Sequence, residues 1–310
     1  MYTNSAEACL NEQTIFKVLS NNWNTRAAVR KERLDLDQYC ESSLPEFPIS
    51  MVPFWDWPEF ADVTEETKQR LLAGAWIFYN EHTIMTEDEI VNPLCSKLLK
   101  ITNLGIDSPK TKQILAQTMV DEQFHILMCL EVCNSARRRF NLESFVVPSS
   151  RPIINLKKYI SEIEDEHQSL LIQLAYATVT ELTINNFLRA ISEDKTIQPL
   201  NRMNTALHRK DEAGHEAVFK ELSATAYSHL TPKNKAFFKR YVEQALHDFA
   251  NPDSRSWDAL LTHLEIPNRE AIIAKLEATM YFPDLSEDVL ALYKIIEKSQ
   301  KTSGTTELVS

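Results

Sequence analysis

The sequence predicts an all-α protein: a bundle of long helices with additional helices at its N- and C-terminal ends. Three observations point there. Only 4 of 310 residues are Gly, where average usage would supply roughly 20. Hairpins, bulges and phosphate-cradling loops all use Gly, because only Gly reaches positive φ without steric cost. No GxGxxG or GxxxxGK[ST] string occurs, so the shortage argues against β-sandwich, dinucleotide-binding and P-loop folds. Finally, long segments with helical periodicity are separated by short Pro- or Ser-marked breaks.

In chain order, an amphipathic helix fits residues 11–22. Residues 43–60 interleave four Pro with aromatic rings and read as an extended arm packed on the body. Thr64 is the expected N-cap of a helix running to about residue 100, kinked or interrupted at Pro93. Ser108 and Pro109 open a second helix, to about 140. A third stretch covers about 155–192, in one or two pieces, and a fourth about 200–228. Thr231-Pro232 opens another to about 248. One domain is expected over 1–310: arm and first helix to 60, bundle core 61–230, accessory helices 231–300, and a disordered tail 301–310.

Composition excludes several function classes. The formal charge is −11, and no basic stripe suggests a nucleic-acid partner. ArgArgArg at 137–139 reads as cations complementing a helix C-terminus. No apolar run is long enough to span a membrane, and the opening residues lack a signal-peptide pattern. Five Cys without a CxxC point to a reducing cytoplasm. Cys129 and Cys133, one turn apart, read as core packing.

Four long helices suggest a ferritin-like bundle, whose metal ligands project inward. Three Glu-x-x-His pairs occur: Glu122/His125, Glu164/His167 and Glu212/His215. The Glu164 pair, in a charged helix start, reads as a solvated first turn. The other two belong to Asp-Glu-x-x-His strings 90 residues apart, and composition alone gives about 0.04 such strings per chain of this kind. A ligating imidazole donates its other N–H to a carboxylate. The expectation is that Asp121 holds His215 and Asp211 holds His125 across the bundle. His208, Glu212 and His215 share one helix face. Glu181 lies in the most apolar stretch, where an unpaired carboxylate is costly. The first long helix should add an acid; Glu81, Glu87, Asp88 and Glu89 compete, and the row Trp76, Asn80, Thr83, Glu87, Leu94 favours Glu87. The set Glu87, Glu122, His125, Glu181, His208, Glu212, His215 matches the pattern of carboxylate-bridged di-iron or di-manganese bundles. Four carboxylates and two divalent ions make a neutral cluster, and zinc suits such an oxygen-rich set less well. Gly214 sits inside the second motif, where a helical Gly costs about 1 kcal/mol against Ala. It reads as room for a ligand or a close neighbour.

On His208-x-x-x-Glu212-x-x-His215 and the run 79–95 containing Glu87, the chain resembles the non-haem di-iron N-oxygenases related to p-aminobenzoate N-oxygenase. The resemblance covers roughly 70–225, and the third His is its most specific element. It implies two iron ions, O2 as co-substrate, an external electron donor, and a primary amine substrate, free or carrier-tethered, oxidised to a hydroxylamine, nitroso or nitro product. It implies one iron on Glu87, Glu122 and His125 and another on Glu181, His208 and His215, with Glu122 and Glu212 bridging, and a homodimer as the form. Where the family's arylamine members place an Arg that helps hold the benzoate carboxylate, this chain has His82. That makes an amino acid or a carrier-bound amine more attractive than p-aminobenzoate. Tyr79 and His82 are the candidate substrate-binding residues. The competing readings are a di-iron C-hydroxylase or desaturase on a carrier-bound acyl chain, and a non-catalytic ferritin-like metal binder.

Overall fold

The computed structural model describes residues 16–31, 40–41, 43–100, 104–250, 253–279 and 286–297. The expected disordered tail 301–310 and the first part of the 11–22 helix lie outside them. Helix α1 covers 16–26. The arm that follows buries Phe47, Phe54 and Phe60, and Phe54 meets Trp257 edge-on at 5.1 Å. The arm is not wholly extended: Ile49–Met51 is a 3₁₀ turn, and Pro58–Ala61 is one helical turn with Pro58 at its first position. There a missing N–H costs nothing, so Pro is admitted.

The core is built from α2 (Glu65–Thr86), a π-helical turn (Glu87–Val91), α3 (Asn92–Leu98), α4 (Pro109–Phe140), α5 (Arg151–Ser161), α6 (Glu166–Glu193) and α7 (Pro199–His229). Three of the long helices start where a short polar side chain bonds their exposed amides, while α7 starts at Pro199 without a side-chain cap. Thr64 accepts from the Thr67 amide, Ser108 from Thr111, and Asp165 from His167 and Gln168. The third stretch is therefore two helices, α5 and α6, parted by the Asp165 cap. Its Glu164 and Glu166 are exposed, so the Glu164/His167 pair stays outside the core.

Helices α6 and α7 run antiparallel. Thr178 meets Ser223 near one end, and Arg209 meets Glu193 near the other. Helices α2 and α4 do likewise, with Arg70 on the Phe140 carbonyl and the Cys133 thiol on that of Ile77. Two antiparallel pairs facing each other are the expected ferritin-like bundle. Cys129 and Cys133 are buried in it. Beyond it come α8 (Pro232–Ala250), α9 (Arg255–His263), α10 (Arg269–Thr279) and α11 (Ser286–Glu297). No strand occurs among the described residues, and none of the described helices is long and apolar enough to cross a membrane.

Pro93 leaves its mark upstream. In an α-helix its ring would collide with the Glu89 carbonyl. The backbone relieves this by widening into the π turn, in which the Asn92 amide bonds the Glu87 carbonyl. The arginines at 137–139 do more than complement a helix end. Arg137 bonds the Leu142 and Phe145 carbonyls and pairs with Glu81. Arg139 pairs with buried Glu46 of the arm.

Candidate metal centre

Each of the bundle's long segments sends acid or imidazole groups to one place. The π turn supplies Glu87, α4 supplies Glu122 and His125, α6 supplies Glu181, and α7 supplies His208, Glu212 and His215. All seven are buried. Spacing accounts for the pairs: residues three, four and seven apart lie along one face of a helix. The π turn delivers Glu87 from a helix whose register shifts there, a device common at functional sites.

His215 Nδ1 lies 2.9 Å from Glu122 Oε1, 3.5 Å from Glu212 Oε1 and 3.8 Å from Glu181 Oε2. His125 Nδ1 lies 3.3 Å from both Glu122 Oε2 and Glu212 Oε1, and 3.8 Å from Glu87 Oε1. His208 Nε2 lies 2.9 Å from Glu212 Oε1 and 3.1 Å from Glu87 Oε1. Glu212 thus reaches all three imidazoles, and Glu122 reaches two. Two overlapping groups have ligand atoms within 4.8 Å of one another: Glu87, His125, His208, Glu212 and Glu122, His125, Glu212, His215.

His208 Nε2 lies beside Glu87 Oε1 and Glu212 Oε1, and His215 Nδ1 reaches the same Glu212 oxygen from further along α7. Helical rise accounts for this. Residues 208 and 215 are separated by about 10 Å along the axis, so the two imidazoles straddle Glu212 and face opposite ends of the cluster. Glu87 enters at the His208 end.

The charges are mutually dependent. Burial pushes the Glu87 carboxyl up to about 7 against the pull of His208. Burial, then Glu212 and Glu122, push Glu181 well above the usual carboxylate range. Burial also opposes ionisation of Glu212, yet His215, His125 and His208 hold it well below that range. The three imidazoles are held well above their ordinary value by the surrounding carboxylates despite burial. Glu87 Oε2 and Glu181 Oε2 are buried without a hydrogen-bond partner. Such groups are costly unless a cation satisfies them. Divalent metal ions fit this donor set in chemistry and charge.

The two Asp-Glu-x-x-His strings cross as their shared Asp suggested. The His215 Nε2–H donates to Asp121 Oδ2 at 3.2 Å, and the His125 Nε2–H to Asp211 Oδ2 at 3.4 Å. Each imidazole then presents Nδ1 to the carboxylates. A further layer escaped sequence reasoning. Trp23 Nε1 donates to both Asp121 oxygens at 2.9 Å. Arg26 Nη1 donates to the Asp211 carbonyl at 2.8 Å and to its Oδ1 at 3.1 Å, while Nη2 lies 3.5 Å from Asp121 Oδ2. The Ala28 amide donates to Asp211 Oδ2 at 2.9 Å. Gly214 makes this possible. A Cβ there would stand 2.5 Å from Arg26 Cζ, so the missing side chain is room for the guanidinium. Gly214 was the one sequence signal of this contact.

A cavity of about 320 Å³ opens from the cluster. Glu87, Glu122, Glu181, His208 and Glu212 line its metal-facing end, with Val91, Ile184, Phe187 and Phe249 around it. His82 lines it too, with Nε2 at 3.1 Å from both the Pro148 carbonyl and Ser256 Oγ. Burial lowers its pKa. Tyr79 does not line it. Its ring lies between Trp76 and Phe187, at 5.7 and 5.9 Å, and Phe187 takes the wall position.

Fold and site define an all-helical bundle protein with a buried carboxylate–imidazole centre suited to metal. The chain matches the family model described as p-aminobenzoate N-oxygenase AurF over residues 10–294, and it belongs to that family. It is similar to the 4-aminobenzoate N-oxygenase of Streptomyces thioluteus, with 28% identity over 279 residues, 89% of this chain and 83% of that protein. The chain is an oxygenase enzyme, which sets aside the non-catalytic reading.

Proposed function

We propose that this oxygenase is a di-iron enzyme that oxidises the nitrogen of a small primary amine. One observation carries the reading: His208 joins the two Glu-x-x-His pairs, Glu87 and Glu181 in a single buried cluster that opens on a cavity of small-molecule size. The Streptomyces relative, named for 4-aminobenzoate, supports the choice of nitrogen as the site of oxidation.

Glu87, His125 and His208 would hold one ion, and Glu181 and His215 the other, with Glu122 and Glu212 between them. Bound iron supplies redox equivalents and O2 activation, chemistry that side chains lack. The first round balances as amine plus O2, two electrons and two protons giving hydroxylamine and water, so an electron donor outside this chain is required. The chain's own work is placement. Asp121 and Asp211 fix the imidazole tautomers so that Nδ1 faces inward. Phe187, Ile184, Val91 and Phe249 enclose the amine and limit water around the reacting nitrogen. Thr180 and Thr183, on the α6 wall of the cavity, each bond a carbonyl one turn back, so their methyl groups are left to the substrate.

The test is anaerobic loading with ferrous iron, reduction, and addition of O2 with 4-aminobenzoate and a panel of aryl and alkyl amines. Two irons per chain and a mass increase located on nitrogen are expected. A fully loaded protein that consumes O2 yet yields no N-oxygenated product from any amine refutes the proposal.

A further inference from the structure

Electrons must reach a buried centre from outside this chain, and the hydrogen bonds behind two of its imidazoles lead to different places. Behind His125, Asp211 is held by the Arg26 guanidinium and the Ala28 amide, neither of them an aromatic ring. Behind His215, Asp121 Oδ2 accepts from Nε2 at 3.2 Å, and the Trp23 indole N–H is shared by both Asp121 oxygens at 2.9 Å. Imidazole, carboxylate and indole form one unbroken chain of hydrogen bonds. Electronic coupling decays steeply across open gaps and more slowly through bonds and hydrogen bonds, so this chain is a conduction path. Trp23 is half-buried, and the path therefore ends on a conjugated residue that still meets solvent.

The segment that carries Trp23 has a charge of its own. Residues 16–31 contain Lys17, Arg26, Arg30 and Lys31 and no Asp or Glu, in a chain whose formal charge is −11. Lys17, Arg30 and Lys31 are exposed, and the Arg30 guanidinium carbon stands 5.6 Å from the centre of the Trp23 ring. Among the described residues, the acids paired with this segment are the buried Asp121 and Asp211, both through Arg26. A molecule that is acidic as a whole repels an acidic protein except at such a face, which fixes where the partner lands. Electron-transfer encounters are among the smallest protein contacts, so one short helix with a few cations suffices. None of residues 16–31 lines the cavity, and a protein seated on them leaves the substrate's space free.

We propose that the segment 16–31 is the docking face of an acidic one-electron carrier protein, and that electrons cross from the carrier through Trp23, Asp121 and His215 to the metal centre. Each visit oxidises the carrier by one electron and reduces the centre by one. Two visits supply the two electrons of the balance given above, and water supplies the protons. Trp23 and Arg26 both steady an Asp behind an imidazole, but only Trp23 conducts. The use to which the electrons are put rests on the N-oxygenase reading, whereas docking and reduction do not.

The test follows reduction, not turnover. The full-length protein is loaded with iron, oxidised in air and then reduced anaerobically while its ferric absorbance is recorded, with rates taken per bound iron. The reductant is either a plant-type ferredoxin, an acidic iron–sulfur carrier, or reduced methyl viologen, a small cation that needs no docking face. The double variant Lys17→Glu, Lys31→Glu should slow reduction by ferredoxin about tenfold or more at low salt, with the difference shrinking as salt rises, and should leave reduction by viologen unchanged. Trp23→Phe, which loses the N–H, should be slow with ferredoxin. Trp23→Gln, which keeps a donor for Asp121 but lacks the ring, should retain the parent's iron content and still be slow; a merely structural Trp23 would be rescued by it. Parent-like ferredoxin reduction of the charge-reversed protein overturns the docking face, and parent-like reduction of Trp23→Gln overturns the route. Reduction that depends on these residues, in a protein that then oxidises no amine with O2, keeps the entry face and removes the N-oxygenase reading. Amine oxidation in a protein whose reduction ignores them does the reverse.

Discussion

Gly214→Ala sets two effects of opposite sign against each other. Replacing a helix-interior Gly by Ala stabilises a helix by about 1 kcal/mol. The new Cβ, however, would stand 2.5 Å from Arg26 Cζ, 2.8 Å from Nε and 2.9 Å from Nη1. Ordinary carbon contacts need about 3.5 Å or more, so the guanidinium must retreat by roughly 1 Å. It is the end of a flexible side chain and can move, but its bonds of 2.8 and 3.1 Å to Asp211 do not survive the shift. Bonds to a charged group are worth about 1.5–3 kcal/mol, and Arg26 is only 20% exposed, so most of that range applies. The sum is a fold destabilised by about 0.5–2 kcal/mol. The more telling effect is on metal. Asp211 loses part of its support and holds His125 less firmly. Loss of a carboxylate that orients a ligating imidazole costs about 10–100-fold in metal affinity, and one layer further out the expected loss is about tenfold. The assay pairs thermal melting of the metal-free protein with anaerobic Mn2+ or Fe2+ titration. Arg26→Met should show a similar affinity loss, and the double variant little more than either alone, because both remove one interaction. A Gly214→Ala protein that melts higher by the full helix gain and binds metal like its parent refutes the reasoning.

Removing His208 takes one imidazole from the Glu87 end. His208→Ala should therefore bind its weaker ion at least tenfold less tightly, by metal analysis after dialysis, while His167→Ala, outside the core, should not change metal content. The pH dependence follows from the shifts. His125, His208 and His215 are raised, so their stabilisation of the metal-free fold is complete below about 6.5 and is lost as pH rises through their higher folded values. Glu87, raised to about 7, adds a cost that builds from the ordinary carboxylate range up to about 7 and is complete above it. Metal binding displaces those protons. The melting temperature of metal-free protein should thus fall above pH 7, while the gain on adding Mn2+ should grow from pH 6 to 8; a gain that shrinks with pH contradicts the charge distribution described here.

The amino-acid sequence by itself determined the helices and most of the centre. Gly scarcity, capping residues and periodicity are local properties, and so is Asp-Glu-x-x-His, whose members are brought to one face by helical pitch alone. Glu87 needed more, since its neighbours Glu81, Asp88 and Glu89 competed, periodicity only favoured it, and the family resemblance sharpened the choice. Tertiary structure then decided which ligands stand together. The placing of His208 with Glu87 depends on how far α7 slides along α2 and α4, a long-range packing result that no spacing within α7 encodes. The same holds for Trp23 and Arg26, 98 and 185 residues from the groups they bond. Local sequence sets backbone conformation and face; partners far apart in the chain are chosen by how the finished helices pack.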